Sequence, residues 1–294
     1  MISVIVQKTC QELWDAFLKD RANAKPATLS NFRSCQKLFY GAFSPTESIE
    51  AITPSRLLTW KQSLQERYQR GGITSRLNLL STVLQWAVGC GWLTTNPMKN
   101  VKRDRGIDRE KHRDITQEDL SKLLEACPNQ EWRKIIVLAR IGGLRCPSEI
   151  QKLRWLHIDW KRNRFLVHSP KTEHHPGHHQ REVPLFPELR KALQQHFELV
   201  NPNDNDFVIQ SFQGKDCWCL TIPFAKISKA AGLGKIAQPF LNMRRSRSNE
   251  VVRKFGPTRE NRWFGHTTEV MEDHYFSMKD EDFDEAAGDE VLQD

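Results

Sequence analysis

The sequence has little that would place it outside the cell or in a membrane. Its seven cysteines are scattered through 294 residues and form no recognisable disulfide framework or metal-binding spacing, so we expect free thiols in a reducing, cytoplasmic setting. No apolar run approaches the length of a membrane span, and the N-terminus has no signal-peptide pattern. These absences argue against a disulfide-stapled secreted domain and against an integral membrane protein.

Tyrosine is also scarce, and no internal repeat is visible. The chain contains three tyrosines, at positions 40, 68 and 275. Hydrophobic residues make up 38% of the chain and charged residues 27%, a balance typical of a globular protein and unlike that of a disordered one. The length is sufficient for two domains, each with its own core.

Positive charge is abundant and unevenly distributed. The formal net charge is +8, residues 1–113 hold 18 Lys and Arg against 9 Asp and Glu, and residues 276–294 hold one Lys against eight acids. A basic excess that extends over two domains favours a polyanionic partner such as double-stranded DNA, although any single run can be merely solvated surface.

Hydrophobic periodicity divides the chain into two regions. Residues 1–100 predict a helical domain of four helices. The first two are Thr9–Ala22 and Thr28–Phe43, the third begins at Thr53-Pro54 and is broken at Arg70-Gly71-Gly72, and the fourth is Thr74–Val88. Residues 101–113 predict a basic linker, which either contacts a phosphate backbone or is simply solvated. Residues 276–294 form an acidic C-terminal tail.

Residues 114–275 predict an α+β domain with one small antiparallel sheet. Thr116 is a candidate cap for the first helix. Helices are predicted at Gln117–Cys127, Glu131–Ile141, Glu188–Val200, Ile222–Ala231, Met243–Phe255 and Thr267–His274, and strands at Trp155–Trp160, Arg164–His168 and Arg181–Leu185. The fold class is therefore mainly α with a small antiparallel sheet.

Four short patterns follow one another in this second region. They are Gly142-Gly143-Leu144-Arg145-Cys146-Pro147-Ser148-Glu149-Ile150, then Pro170-Lys171-Thr172 in a strand turn, then Leu241-Asn242-Met243-Arg244-Arg245-Ser246, and finally Phe264-Gly265-His266-Thr267-Thr268 with Tyr275 nine residues after His266. The set resembles the tyrosine recombinases, the phage-integrase family, whose pattern is Gly-Leu-Arg-x-x-Glu, a hairpin lysine, His-x-x-Arg, Gly-His and a later tyrosine. The run Asn-Met-Arg-Arg-Ser-Arg is similar to a bacterial subgroup with Asn-Leu-Arg-x-Ser-Arg.

The resemblance implies an N-terminal SAM-like core-binding domain, a catalytic domain and a set of catalytic residues. Tyr275 would be the nucleophile that forms a 3′-phosphotyrosyl link, and Arg145 and Arg244 would stabilise charge on the nonbridging phosphate oxygens. His266 would donate a further hydrogen bond, and Lys171 would protonate the departing 5′ oxygen. Neither a metal nor ATP nor another cofactor is expected, because the phosphotyrosine bond conserves the energy for rejoining.

Several alternatives stay open at these positions. Arg245 competes with Arg244 for the second arginine, and Glu149 is expected to orient an arginine or to lie on a helix surface. Leu241 occupies the position of the usual family histidine, which leaves open a catalytically impaired DNA-binding relative acting as regulator or relic. A type IB topoisomerase would share the chemistry.

Two further segments lie near these motifs or after them. The histidine-rich run His174-His175-Pro176-Gly177-His178-His179 is interpreted as a hairpin turn near DNA, with a weak metal site as the alternative. Family members often dock a C-terminal segment such as 276–294 onto a neighbouring protomer, which implies a homo-tetramer on DNA in the bacterial cytoplasm, at the nucleoid; a frayed acidic tail is the alternative.

Overall fold

A computed structural model describes residues 8–103, 111–171, 179–215 and 218–275. The chain divides into two compact units, Met1–Asp108 and Arg109–Asp294. The division falls inside the segment 101–113, of which residues 104–110 lie outside the described residues.

The N-terminal unit is built from helices around an aromatic core. The helices are α1 (Cys10–Asp20), α2 (Pro26–Phe39), α3 (Pro54–Gln65) and α4 (Arg70–Gly89). Thr9 caps α1 in a capping box with Glu12, and Thr53 caps α3, because each side chain satisfies a backbone N–H that the first helical turn leaves free. The buried core includes Trp14, Phe17, Phe39, Trp60, Leu77 and Leu84.

The predicted break at Arg70-Gly71-Gly72 is wrong. Arg70 begins α4, and the two glycines lie in its first turn, while the interruption after α3 falls at residues 66–69. Glycine weakens a helix chiefly by its backbone freedom. The N–H groups of a first turn have no partner within the helix in any case. Packing of the apolar residues that follow can therefore extend the helix back to Arg70. The second predicted helix also ends sooner than expected, at Phe39.

The C-terminal unit packs helices around a small sheet. Its elements are α5 (Gln117–Glu125), α6 (Gln130–Arg140), β1 (Ile158–Asp159), β2 (Arg164–His168), β3 (Gln180–Pro184), α7 (Pro187–Val200), α8 (Thr221–Ala230), α9 (Pro239–Phe255), α10 (Pro257–Phe264) and α11 (Thr268–His274). The strands are antiparallel in the order β1-β2-β3, with Phe165 opposite Val183. Both residues are buried, so alternate side chains of β2 and β3 face the core. The predicted fold class is confirmed.

Helix α9 begins at Pro239, four residues before the predicted start, and two elements of this unit differ in kind from the prediction. Residues 155–157 form a 3-10 turn rather than a strand, because His157 folds back and its Nδ1 accepts the backbone N–H of Arg154 at 3.1 Å. Helix α10 was not predicted. Gly256 at φ +81° separates it from α9, and Pro257 at its first turn needs no N–H partner.

Helix α6 is the central helix of this unit. Its residues from Lys134 to Arg140 are buried, and the chain turns sharply after it at Gly142-Gly143. The buried guanidinium of Arg140 binds the carbonyl of Ile115 at 2.7 Å and the carboxylate of Glu250 on α9, so α6 and α9 are fixed to each other by charge as well as by packing. No helix among the described residues is long and apolar enough to cross a membrane.

Candidate active site

Four of the five predicted site residues come together at the C-terminal ends of α6, α10 and α11 and at the middle of α9. Arg145 follows the turn after α6, Arg244 lies in α9, His266 follows α10, and Tyr275 follows α11. Side-chain contacts link Arg244 to both His266 and Tyr275. The surrounding backbone turns therefore bring residues that are 130 positions apart in the sequence to one place.

Arg244 is at the centre of this cluster. Its side chain is 2% exposed, and its guanidinium donates to the carbonyls of Gly143 and Phe264 and lies 2.7 Å from Nε2 of His266. Burial and then the charge of Arg145 lower the pKa of Arg244 to about 10, so it stays charged at neutral pH. Within the described part of the chain, Nε of Arg244 has no hydrogen-bond partner.

Gly143 makes this anchorage possible. Its φ is +65°, and an added Cβ would lie 2.5 Å from the ring of Phe264. A side chain at this position would meet both left-handed strain and a direct clash. The glycine thus allows α10 to approach closely while its own carbonyl accepts from Arg244.

Arg145 is held by the buried carboxylate of Glu149. That carboxylate accepts the backbone N–H of Arg145 at 2.8 Å and its guanidinium at 2.7 Å, and Arg145 also donates to the carbonyl of Gly265 at 3.2 Å. The pair is one position wider than the family spacing Gly-Leu-Arg-x-x-Glu. Glu149 is therefore an arginine-orienting residue here and not part of a helix surface.

Arg181 is a member of the site that the sequence analysis missed. Two of its nitrogens bind the Glu149 carboxylate, each at 2.8 Å, and its Nε donates to the carbonyl of Trp263 at 2.7 Å. Burial alone would raise the pKa of Glu149, but the charges of Arg181, Arg244 and Arg145 outweigh it and hold that pKa far below the usual range. The strand pattern contains a signal for this position. Arg181 lies two residues before the buried Val183 on β3, so the two side chains share the face that is directed toward the interior.

His266 has a second carboxylate behind it. Its Nδ1 lies 3.0 Å from Glu260, which is fully buried and also accepts from the hydroxyl of Ser248 at 2.6 Å. Burial, followed by the charges of Arg244 and Arg145, lowers the pKa of His266 to about 4, although Glu260 opposes this. The ring is neutral at pH 7, and a carboxylate beside Nδ1 favours the tautomer whose Nε2 accepts from Arg244.

Tyr275 covers this assembly. Its ring stacks on the imidazole of His266 with centroids 4.1 Å apart, and the guanidinium carbon of Arg244 lies 5.7 Å from the ring centre. The side chain is 9% exposed. Thr267 caps α11, and this short helix is what carries the chain from His266 to Tyr275.

The remaining candidates occupy separate positions. Lys171 is exposed in the turn after β2, and no described contact joins it to the other four residues. Asn242 points away from the site, because its amide binds the carbonyls of Lys111 and Ala237 and accepts from Arg245 at 2.6 Å. Arg244 contacts His266, whereas Arg245 donates to Asn242, and Leu241 is 38% exposed.

The described residues offer no cluster of three or more His, Cys, Asp or Glu side chains suited to a metal ion. The predicted histidine-rich turn falls mostly at 172–178, outside the described residues, as does the C-terminal segment 276–294.

Comparison with solved structures identifies the fold. The chain is 15% identical to the Tn1549 transposon integrase in complex with transposon right end DNA, with a TM-score of 0.75. The match covers 95% of this chain and 98% of that one. It is 19% identical to a lambda integrase dimer bound to a COC′ core site, with a TM-score of 0.72 over 92% of this chain and 77% of that one. A lambda integrase tetramer bound to a Holliday junction is 18% identical to this chain, with a TM-score of 0.72; the match covers 94% of this chain and 82% of that one. The fold is thus that of integrases.

The family assignment rests on the sequence itself. The family model described as "Phage integrase family" matches residues 113–276, which is more than half of the chain. A search of curated proteins finds no match. The chain belongs to the phage integrase family, as its motifs predicted.

Proposed function

We propose that this protein is a site-specific DNA recombinase that cleaves and rejoins strands through a 3′-phosphotyrosyl intermediate, with Tyr275 as the nucleophile. The observation that carries the proposal is the packing of the Tyr275 ring against His266 and Arg244. A phenol is a weak nucleophile at neutral pH, and fixed positive charge beside it favours attack on a phosphate. The phenolic proton passes to solvent as the bond from the Tyr275 oxygen to phosphorus forms, the bond from phosphorus to the 5′ oxygen breaks, and that oxygen leaves as a 5′ hydroxyl with a proton from Lys171.

Arg145 and Arg244 would stabilise the charge that develops on the nonbridging oxygens. Both guanidinium groups are already oriented by acceptors before DNA binds, Arg145 by Glu149 and Arg244 by two carbonyls. Such preorganisation lowers the cost of stabilising a transition state. The unpartnered Nε of Arg244 leaves a donor for a phosphate oxygen.

His266 and Lys171 would complete the chemistry. A phosphate beside Arg244 favours protonation of His266, whose Nε2 then donates to an oxygen instead of accepting from the arginine. Lys171, at the exposed hairpin turn, would protonate the leaving 5′ oxygen. Rejoining reverses these steps, so it requires neither a metal nor ATP.

DNA binding would involve both units. The basic N-terminal unit would act as the core-binding domain and the segment 101–113 as a linker along the backbone, since 18 Lys and Arg lie in residues 1–113. We propose a tetramer on double-stranded DNA, with the acidic segment 276–294 exchanged between protomers. The lambda integrase tetramer on a Holliday junction supports this assembly. The protein would then act in the cytoplasm at the nucleoid.

Leu241 favours one rival function, a DNA-binding relative that no longer cleaves, because leucine can neither accept nor donate a proton. The direct test uses a plasmid that carries two copies of the DNA flanking the gene, incubated with purified protein and EDTA without ATP. We expect recombinant circles from the wild type and from Tyr68→Phe, and none from Tyr275→Phe.

Each other result has a defined meaning. Duplex binding without recombination by the wild type would support the rival. Relaxation of supercoiled plasmid that lacks these sites, by monomeric protein, would indicate a type IB topoisomerase. Recombination by Tyr275→Phe at the wild-type rate would overturn the proposal.

A further inference from the structure

A polar pocket lies at the base of the β2–β3 hairpin, beside the cluster described above. Its volume is about 480 Å³, and the residues that line it include three histidines and two cations: His157, His168, His179, Lys152 and Arg154. None of the described residues that line it is acidic. A concave surface with this lining favours an anion.

The hydrogen bonds around His157 fix its role as a donor. Its Nδ1 accepts the backbone N–H of Arg154 at 3.1 Å, so the neutral ring carries its proton on Nε2. The ring of His168 lies against it, with centroids 4.9 Å apart. A neutral His157 therefore offers one N–H, on Nε2, to a ligand.

Arg154 is held at the pocket edge by its own contacts. Its guanidinium stacks on the ring of Phe207 at 3.8 Å and donates to the carbonyl of Asn205. An arginine anchored on one face loses little further freedom when it binds an anion. Lys152 is exposed beside it.

Ser169 links the pocket to the candidate active site. Its backbone N–H donates to the carbonyl of His179 at 2.8 Å, and its hydroxyl lies 3.2 Å from the carboxylate that holds Arg145. The same residue thus lines the pocket and contacts Glu149. The pocket is thus connected through Ser169 and Glu149 to Arg145, the residue assigned to the scissile phosphate.

We propose that this pocket binds a second backbone phosphate of the DNA strand, one that is not cleaved, and that His157 donates to that phosphate through Nε2. This inference rests on the proposed function. Burial, and then the neighbouring His168 and Arg154, lower the pKa of His157. The ring is therefore neutral at pH 7, with Nδ1 accepting the Arg154 N–H and Nε2–H free to donate to a phosphate oxygen. A metal is the less suitable occupant, because no described cluster has the arrangement that a metal ion needs.

The test measures binding of the full-length protein to a fluorescent duplex of arbitrary sequence by anisotropy. Lys152→Gln should lower the slope of log affinity against log salt by about 1, the share of one phosphate contact. Lys229→Gln, an exposed lysine on α8 that removes the same charge, is the matched control and should be close to wild type.

The histidine donor is tested by substitution. His157→Phe keeps a ring but removes the Nε2–H donor, so it should weaken duplex binding about tenfold, the share of one hydrogen bond to a charged group. If Lys152→Gln equals Lys229→Gln and His157→Phe binds the duplex as tightly as the wild type, the pocket proposal is wrong while the proposed function stands. If the wild type binds no duplex at all, the proposed function itself fails.

Discussion

At the scale of single residues, two buried carboxylates hold the cationic and titratable groups of the site. Glu149 binds Arg145 and Arg181, and Glu260 binds His266. Both carboxylates have fully buried side chains. Removing one partner from such a pair leaves an uncompensated charge in a poorly solvated place, which costs more than the pair itself contributes.

Glu149→Gln should therefore lower the free energy of unfolding by about 3 kcal/mol or more, because it leaves Arg181 and Arg145 without their counter-charge. Urea unfolding measures this loss. Glu182→Gln is the matched control: it breaks the exposed pair with Arg164 and should cost at most about 1 kcal/mol. Equal stability of the two variants would contradict the role assigned to Glu149.

The stability of the fold should also depend on pH through His266. Its pKa falls from 6.5 to about 4 on folding, so between these values the unfolded chain binds a proton that the folded chain does not. Stability should thus decrease as the pH is lowered through this window, by up to about 3 kcal/mol. Glu149, whose pKa is lowered, adds a further loss below its ordinary value of 4.5.

Urea unfolding at a series of pH values measures this dependence. His266→Gln should lower the slope between pH 6.5 and pH 4 by one proton's share. The remainder is due to His157 and His196, whose pKa values are also lowered, and below pH 4.5 to carboxylates with lowered pKa values such as Glu149. An unchanged slope would show that His266 is not buried as a neutral ring.

The motifs predicted which residues meet, but not what supports them. The family resemblance predicts a site of Arg145, Arg244, His266, Tyr275 and Lys171, and the structure brings the first four together while no described contact joins Lys171 to them. Arg181 and Glu260 were not named, because hydrophobic patterning treats a charged side chain as exposed surface. Only the three-dimensional neighbours of such a side chain show that its charge is paired in the interior.

At the scale of elements, the turn after α6 decides how closely α10 can approach. Gly143→Ala should lower the free energy of unfolding by about 3 kcal/mol or more, from left-handed strain and the clash with Phe264. Gly234→Ala is matched in φ, +66° against +65°, but its Cβ would meet open space, so it should cost only about 1 kcal/mol. Thermal or urea unfolding distinguishes them, and similar losses would contradict the close packing at Gly143.

The start of α5 allows a test of a sequence-predicted cap. Thr116 accepts the backbone N–H of Asp119, whose side chain returns a bond to the backbone of Thr116. Thr116→Ala should cost about 1 kcal/mol in urea unfolding. Ser121→Ala, at an exposed position within the same helix, should be neutral or slightly stabilising. The reverse order would show that Thr116 does not stabilise α5.

Element prediction succeeded where apolar periodicity was strong and failed where it was weak. Helix α10 has the sequence Pro-Thr-Arg-Glu-Asn-Arg-Trp-Phe. One of its buried positions is held by the charged Glu260, so the helix lacks the apolar periodicity by which a helix is predicted. The first predicted strand shrank to two residues, because hydrogen bonds to the segment near Asp206 replace strand pairing at Trp155. Both errors come from tertiary contacts that overrule local preference.

At the scale of the whole molecule, a basic helical unit precedes a unit that matches the phage integrase family and contains Tyr275. The family and the fold are established by the match at residues 113–276 and by the solved integrases. The chemistry proposed for the cluster depends on one claim, that Tyr275 becomes covalently attached to DNA.

That claim is tested by trapping the protein on a nicked duplex made from DNA that flanks the gene, followed by nuclease digestion and mass spectrometry of the peptides. The chain has three tyrosines, so the result is unambiguous. The account predicts a nucleotide remnant on the peptide that contains Tyr275, attached through a 3′ phosphate, and a free 5′ hydroxyl on the released strand. A remnant on Tyr40, Tyr68 or any other residue, or one attached through a 5′ phosphate, would contradict it.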